Sequence, residues 1–134
     1  MATSTPIPVL TISLARYLHG YGAAESLAEQ WSETKVPVST SSRFDNIGFD
    51  LDEKGGNLGE LESQLKEREW AGIMIGWCSR GAIEFTELFE SIVTICVNYI
   101  VESKKGDTSQ KEPKLIFCRG PEDFVNATLR NFPN

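Results

Sequence analysis

Apolar positions along the chain switch repeatedly between an alternating and a helical period, and each switch marks a passage from strand to helix. Val9 to Leu14 (Val-Leu-Thr-Ile-Ser-Leu) alternates in part, is rich in strand formers and follows Pro8, so it predicts a first strand. Arg16 to Gly22 then reads as a loop. Ala23, Leu27, Ala28 and Trp31 recur at helical spacing, predicting a helix through Glu33 that must end before Pro37. Ser39-Thr40-Ser41-Ser42 is a short polar linker. From Phe44 to Leu51 strict alternation of Ile47, Phe49 and Leu51 predicts a second strand with one face buried. Lys54-Gly55-Gly56-Asn57 turns the chain, and Asn57 with Glu60 three residues on has the form of a helix N-terminus. Leu58, Leu61 and Leu65 supply that helix with an apolar stripe.

The second half repeats the pattern more strongly. Trp70 to Trp77 is a short apolar run centred on a buried strand from Ile73, and it stops at Gly76 and the polar stretch Cys78-Ser79-Arg80-Gly81. From about Ala82 to Ser103 a helix is apolar on more than one face, through Ile83, Leu88, Phe89, Ile92, Val93, Ile95, Cys96, Tyr99 and Ile100. Such a helix should lie against the middle of a sheet, touch a neighbouring helix, and leave room for a dimer face. Lys104 to Pro113 is a hydrophilic loop, Lys114 to Cys118 a last strand, and Gly120-Pro121-Glu122-Asp123 the start of a last helix, with proline first and acid in the first turn. Phe124, Val125, Leu129 and Phe132 are its buried face.

Four strand–helix units predict an open three-layer α/β sandwich with about four parallel strands and helices on both faces. Right-handed crossovers and adjacency favour the flavodoxin-like order 2-1-3-4. At 134 residues the chain suits a single domain, residues 1–134.

Composition sharpens this by exclusion. A 40% hydrophobic and 24% charged content is that of a globular protein. A net charge of −6 opposes both nucleic acid and an anionic membrane surface as partners. The N-terminus lacks the basic and apolar regions of a signal peptide, and the run Ile92 to Val101 is too short to span a bilayer. Three cysteines, at 78, 96 and 118, have no metal spacing and suit a reducing, cytoplasmic compartment. Asn126-Ala127-Thr128 matches the glycosylation pattern, which matters only in a secreted chain.

The residues with chemistry collect after the strands. Arg16, Tyr17, His19 and Tyr21 follow the first, Cys78, Ser79, Arg80 and Gly81 the third, and Cys118 with Arg119 the fourth. If the third and fourth strands are neighbours, two thiols and two guanidiniums project from adjacent loops, each opening a helix whose N–H groups attract anions. The expected ligand is a small anion, held by Arg80 and Arg119 with Ser79, Gly81, Cys118 and Tyr17 around it. Cys78, whose thiolate a helix N-terminus and a nearby arginine would stabilise, and His19, a general base, are the candidate catalytic groups.

Other motifs fall short. Cys-Ser-Arg is too compact for a phosphatase loop, so an ordinary buried cysteine is the favoured reading of Cys78. Gly20-Tyr21-Gly22-Ala23-Ala24-Glu25 is a fragment of a dinucleotide fingerprint, with Asp50 or Asp52 as the ribose acid, but Glu25 sets a carboxylate where the pyrophosphate would lie. Gly55-Gly56 lacks the lysine of a phosphate loop, and no cluster suggests a metal or cofactor. The two readings carried forward are binding or transformation of a small anionic metabolite and a non-catalytic interaction or regulatory module.

From Ile73 onward the residues Gly76, Arg80, Leu88-Phe89-Glu90, Phe117, Pro121, Asp123 and Arg130 follow a recognisable order. It resembles a family of small flavodoxin-like or Rossmann-like α/β proteins of bacteria and fungi. There a strand ends in Gly-x-Gly-Val-Arg-Thr, a helix carries Leu-Phe-Glu, and a later strand ends in Phe-Asn-Thr before Pro-x-Asp. Here Trp77-Cys78-Ser79 and Cys118-Arg119 replace the loop residues of that pattern. The resemblance implies the same open fold over the C-terminal half and brings no activity or catalytic residues with it.

Overall fold

The computed structural model describes residues 5–76, 81–105 and 112–133, except for the side chains of Tyr17 and Lys105. Four strands, β1 (Ile7–Ser13), β2 (Phe44–Asp50), β3 (Gly72–Ile75) and β4 (Lys114–Phe117), form one parallel sheet in the order β2-β1-β3-β4. β1 is thus central, with Thr11 opposite Gly48 on one side and Met74 on the other.

Alternation along the strands assigns the helices to the two faces. Leu10, Ile12, Ile73 and Ile75 point to one side, where Leu61 and Leu65 of α4 (Leu58–Lys66) and Ile92 and Cys96 of α5 (Thr86–Lys105) complete a single core cluster. Met74, Ile116 and Cys118 point to the other, under Leu27 of α2 (Ala23–Gln30) and Phe124 and Ala127 of α6 (Phe124–Asn131). Each such side chain, fully buried, contributes roughly 1.5–3 kcal/mol of transfer free energy. Successive parallel strands joined by right-handed crossovers produce this division. The first connection runs behind the sheet, the next two in front of it.

Two close approaches position these layers. Gly48 lies directly under the start of α2: a Cβ there would sit 2.7 Å from the Cβ of Ala23 and 2.9 Å from the backbone nitrogen of Ala24. At the opposite end of the sheet, Trp70 is buried, with its indole N–H on the carbonyl of Gln64 (3.2 Å) and its backbone N–H on the hydroxyl of Tyr99 (3.0 Å). That pair of bonds ties α4, the entry to β3 and α5 together.

The local departures from the sequence reading have identifiable causes. The stretch expected as a loop after β1 contains a short helix, α1 (Ala15–His19), because the Ser13 hydroxyl accepts the Ala15 N–H at 3.0 Å and starts a turn. The polar linker folds into a single helical turn, α3 (Val38–Ser41). Asn57 precedes α4 as expected but does not cap it. Its amide instead closes the turn behind it, accepting the Asp52 N–H (2.8 Å) and donating to the Asp50 carbonyl (2.9 Å). Ile83 is not on the buried face of the long helix; it precedes α5 in a 3₁₀ turn and is 91% exposed. The Asn-Ala-Thr sequence lies within α6, its Thr128 buried with the hydroxyl on the Phe124 carbonyl.

Candidate functional site

At the carboxyl ends of β1, β3 and β4 the chain leaves a cavity of about 200 Å³. One wall is the β1–α1 turn, Ser13 to Ala15, whose geometry follows from the Ser13 hydroxyl bond. α1 then closes on Gly20, which takes a left-handed conformation (φ 80°) and donates its N–H to the Arg16 carbonyl at 3.1 Å. That reversal brings His19 and Tyr21 to the rim, their rings stacked with centroids 5.9 Å apart.

The floor comes from β3 and β4. Gly76 donates its N–H to the Ile12 carbonyl at 2.9 Å, and a Cβ at this position would approach that oxygen to 3.1 Å. Glycine therefore lets the end of β3 stay close to β1. Cys118 follows β4 directly and is fully buried, its thiol 3.8 Å from the Ile75 carbonyl and packed in the α2/α6 core.

The far wall is the β4–α6 turn. Gly120 adopts φ 153° with ψ −179°, a region that side-chain-bearing residues avoid. The turn is held from within: Asp123 accepts the Arg119 N–H at 3.1 Å and the Arg130 guanidinium at 3.3 Å, and Arg130 also donates to the Phe117 carbonyl at 3.2 Å. The Arg119 side chain remains exposed beside the cavity, and among the described residues it enters no ion pair. Glu122 lines the same cavity, so cation and carboxylate face one space.

The structure brings together four of the residues expected from sequence: His19, Tyr21, Cys118 and Arg119 all border this cavity. Cys118 is corrected in character, from a loop thiol to a core side chain. Gly81 is exposed, and Tyr17 lies in α1. Cys78, Ser79 and Arg80 fall outside the described residues. Ser13 and Glu122 are additions that sequence reading passed over. A serine at a strand end is a turn signal, since its hydroxyl can accept a backbone N–H two residues on, and that signal marks Ser13.

Asp50 has a different place from the ribose acid of a dinucleotide site. One carboxylate oxygen accepts the Ala23 N–H at the start of α2 (2.8 Å), and the other pairs with Arg16 at 3.1 Å. It serves as the anchor between β2, α1 and α2. Glu25, two residues further along α2, lies in the first turn of that helix.

A larger depression of about 460 Å³ lies between α4 and α5, lined by residues such as Leu65, Lys66, Asn98 and Tyr99. It is an open furrow between helix surfaces, and the Tyr99 hydroxyl is already engaged with the backbone at Trp70 and Arg68. The strand-end cavity is smaller but holds the convergent polar groups that ligand sites need. Among the described residues no cluster of histidine, cysteine and acid side chains could hold a metal ion, and no helix is long and apolar enough to cross a membrane. Comparison with protein-family models, with curated proteins and with solved structures finds no match to this chain.

Proposed function

We propose that the chain binds a compact anionic metabolite in the cavity at the carboxyl ends of β1, β3 and β4. The observation that supports this most directly is the convergence of Ser13, His19 and Arg119, from three different turns, on one space of about 200 Å³. That volume lies below the roughly 300–1,000 Å³ of drug-sized clefts, which points to a small ligand. Arg119 meets the acid group, the Ser13 hydroxyl has its O–H to donate beside it, and Glu122 selects for a ligand that also carries a donor. His19, at the rim, is the group placed to carry a proton to or from the ligand. The core placement of Cys118 speaks against thiol chemistry by that residue.

The test is thermal denaturation of the purified protein with a panel of small mono- and dicarboxylates and phosphate esters. A member of the panel should raise the melting temperature of the wild type. Arg119→Ala, at an exposed position, should leave the unliganded melting temperature within the effect of a surface change (about ±0.5 kcal/mol) and abolish the ligand shift. A shift that survives Arg119→Ala sinks the assignment of the anion contact. A flat response across the panel, with a protein partner captured reproducibly, favours the interaction-module reading instead.

A further inference from the structure

The outward face of α5 carries the strongest unabsorbed pattern in the molecule. This 20-residue helix, about 30 Å long, turns Ile92 and Cys96 to the sheet. Along one flank Glu90, Val93, Val97, Val101 and Lys104 follow one another at spacings of three and four, symmetric about Val97, as neighbours on one helix face do. Val97 and Val101 are 42% and 45% exposed, while Val93 and Ile100 are half-buried at the flank of the core. The seam is acidic at its N-terminal end and basic at its C-terminal end, with an apolar middle.

A stripe of that form complements itself in one orientation only. Run antiparallel about a two-fold axis at Val97, it sets Val97 against Val97, Val93 against Val101 and Glu90 against Lys104 of the other copy. A two-fold contact needs this reciprocity, in which residue i meets j and j meets i. The antiparallel helix dipoles add to it. Lys104 reaches Glu112 of its own chain at 3.2 Å, and with half its surface exposed it can meet a second carboxylate as well. We infer that α5 is the interface of a two-fold homodimer centred on Val97.

The neighbouring sheet edge is the less suitable surface. β4 is short and carries Lys114, whose ammonium bonds the Asn131 carbonyl, while Arg130 lies on the Phe117 carbonyl. Charged side chains along an edge strand oppose strand-to-strand pairing. Exposed Phe117 packs against Phe89 at a ring distance of 6.3 Å and extends the apolar flank of α5.

Sedimentation velocity on the full chain tests this. The wild type should sediment as a dimer at high micromolar concentration. Glu90→Lys and Lys104→Glu each put like charges face to face across the axis and should raise the dissociation constant roughly tenfold or more. Combining the two restores opposite charges and should restore the dimer. Both positions are exposed, so the melting temperature of the monomer serves as a control for folding. A monomeric wild type, single variants that dimerise unchanged, or a double variant that stays monomeric would each overturn the assignment.

Discussion

Burial gives the two core cysteines a chemistry opposite to that of a reactive thiol. Cys96 is fully buried against the sheet, and desolvation pushes its thiol from the ordinary 9.0 up to about 12. Below pH 9 both folded and unfolded chains keep this proton, so the group adds nothing to pH dependence. Between pH 9 and 12 the unfolded chain releases it while the folded chain holds it, so stability falls as pH rises, by at most ~1.4 kcal/mol per pH unit. Urea midpoints of wild type and Cys96→Ala across that window should therefore converge with rising pH, and parallel curves would show that the thiol does not titrate on unfolding. Neither Cys96 nor Cys118 should react with an alkylating reagent until the protein unfolds. The sequence made Cys96 easy to place, since an apolar helix surrounds it. Cys118 was harder, because the last strand ends one residue before it and only the packing under α2 and α6 draws it inward.

At the scale of elements, the strands were legible wherever one face alternates. Ile47, Phe49 and Leu51 announce β2, and the bounds found differ by a single residue at its end. The turns were legible only where one side chain determines them. Gly120-Pro121 marks the start of the last helical segment from composition alone, whereas α1 depends on the Ser13 hydroxyl and the Asn57 amide could have closed either of two turns. Contacts between elements distant in sequence leave no local trace. Gly48 is the clearest case: it interrupts a good strand pattern, and its reason is the α2 backbone resting upon it. Gly48→Ala should push α2 off the sheet and cost about 1–3 kcal/mol, read from the urea midpoint. Because Asp50 anchors the same helix, the loss should extend to the Arg16–Asp50 pair, visible as faster amide exchange at Ala23. An unchanged midpoint would mean that the helix is not seated as described.

For the molecule as a whole, the order β2-β1-β3-β4 was readable because adjacency and crossover handedness leave few alternatives for four parallel strands. The position of the strand-end cavity followed from that order alone, while its lining required the turns. The same topology has a consequence for synthesis. The first strand made is an inner strand of the sheet, so its neighbours on either side are both translated after it. An emerging chain presents Val9 to Ser13 with two open edges until Phe44 to Asp50 has left the ribosome, and with one until Gly72 to Ile75 has followed. Open, apolar strand edges recruit other chains. A fragment ending at Glu69 should collect in the insoluble fraction on expression, and the 134-residue chain should do so far less. If that fragment were soluble and monomeric, the central strand would not need its later partner. Nascent copies on neighbouring ribosomes are thus exposed to one another through the very strand that later lies deepest in the sheet.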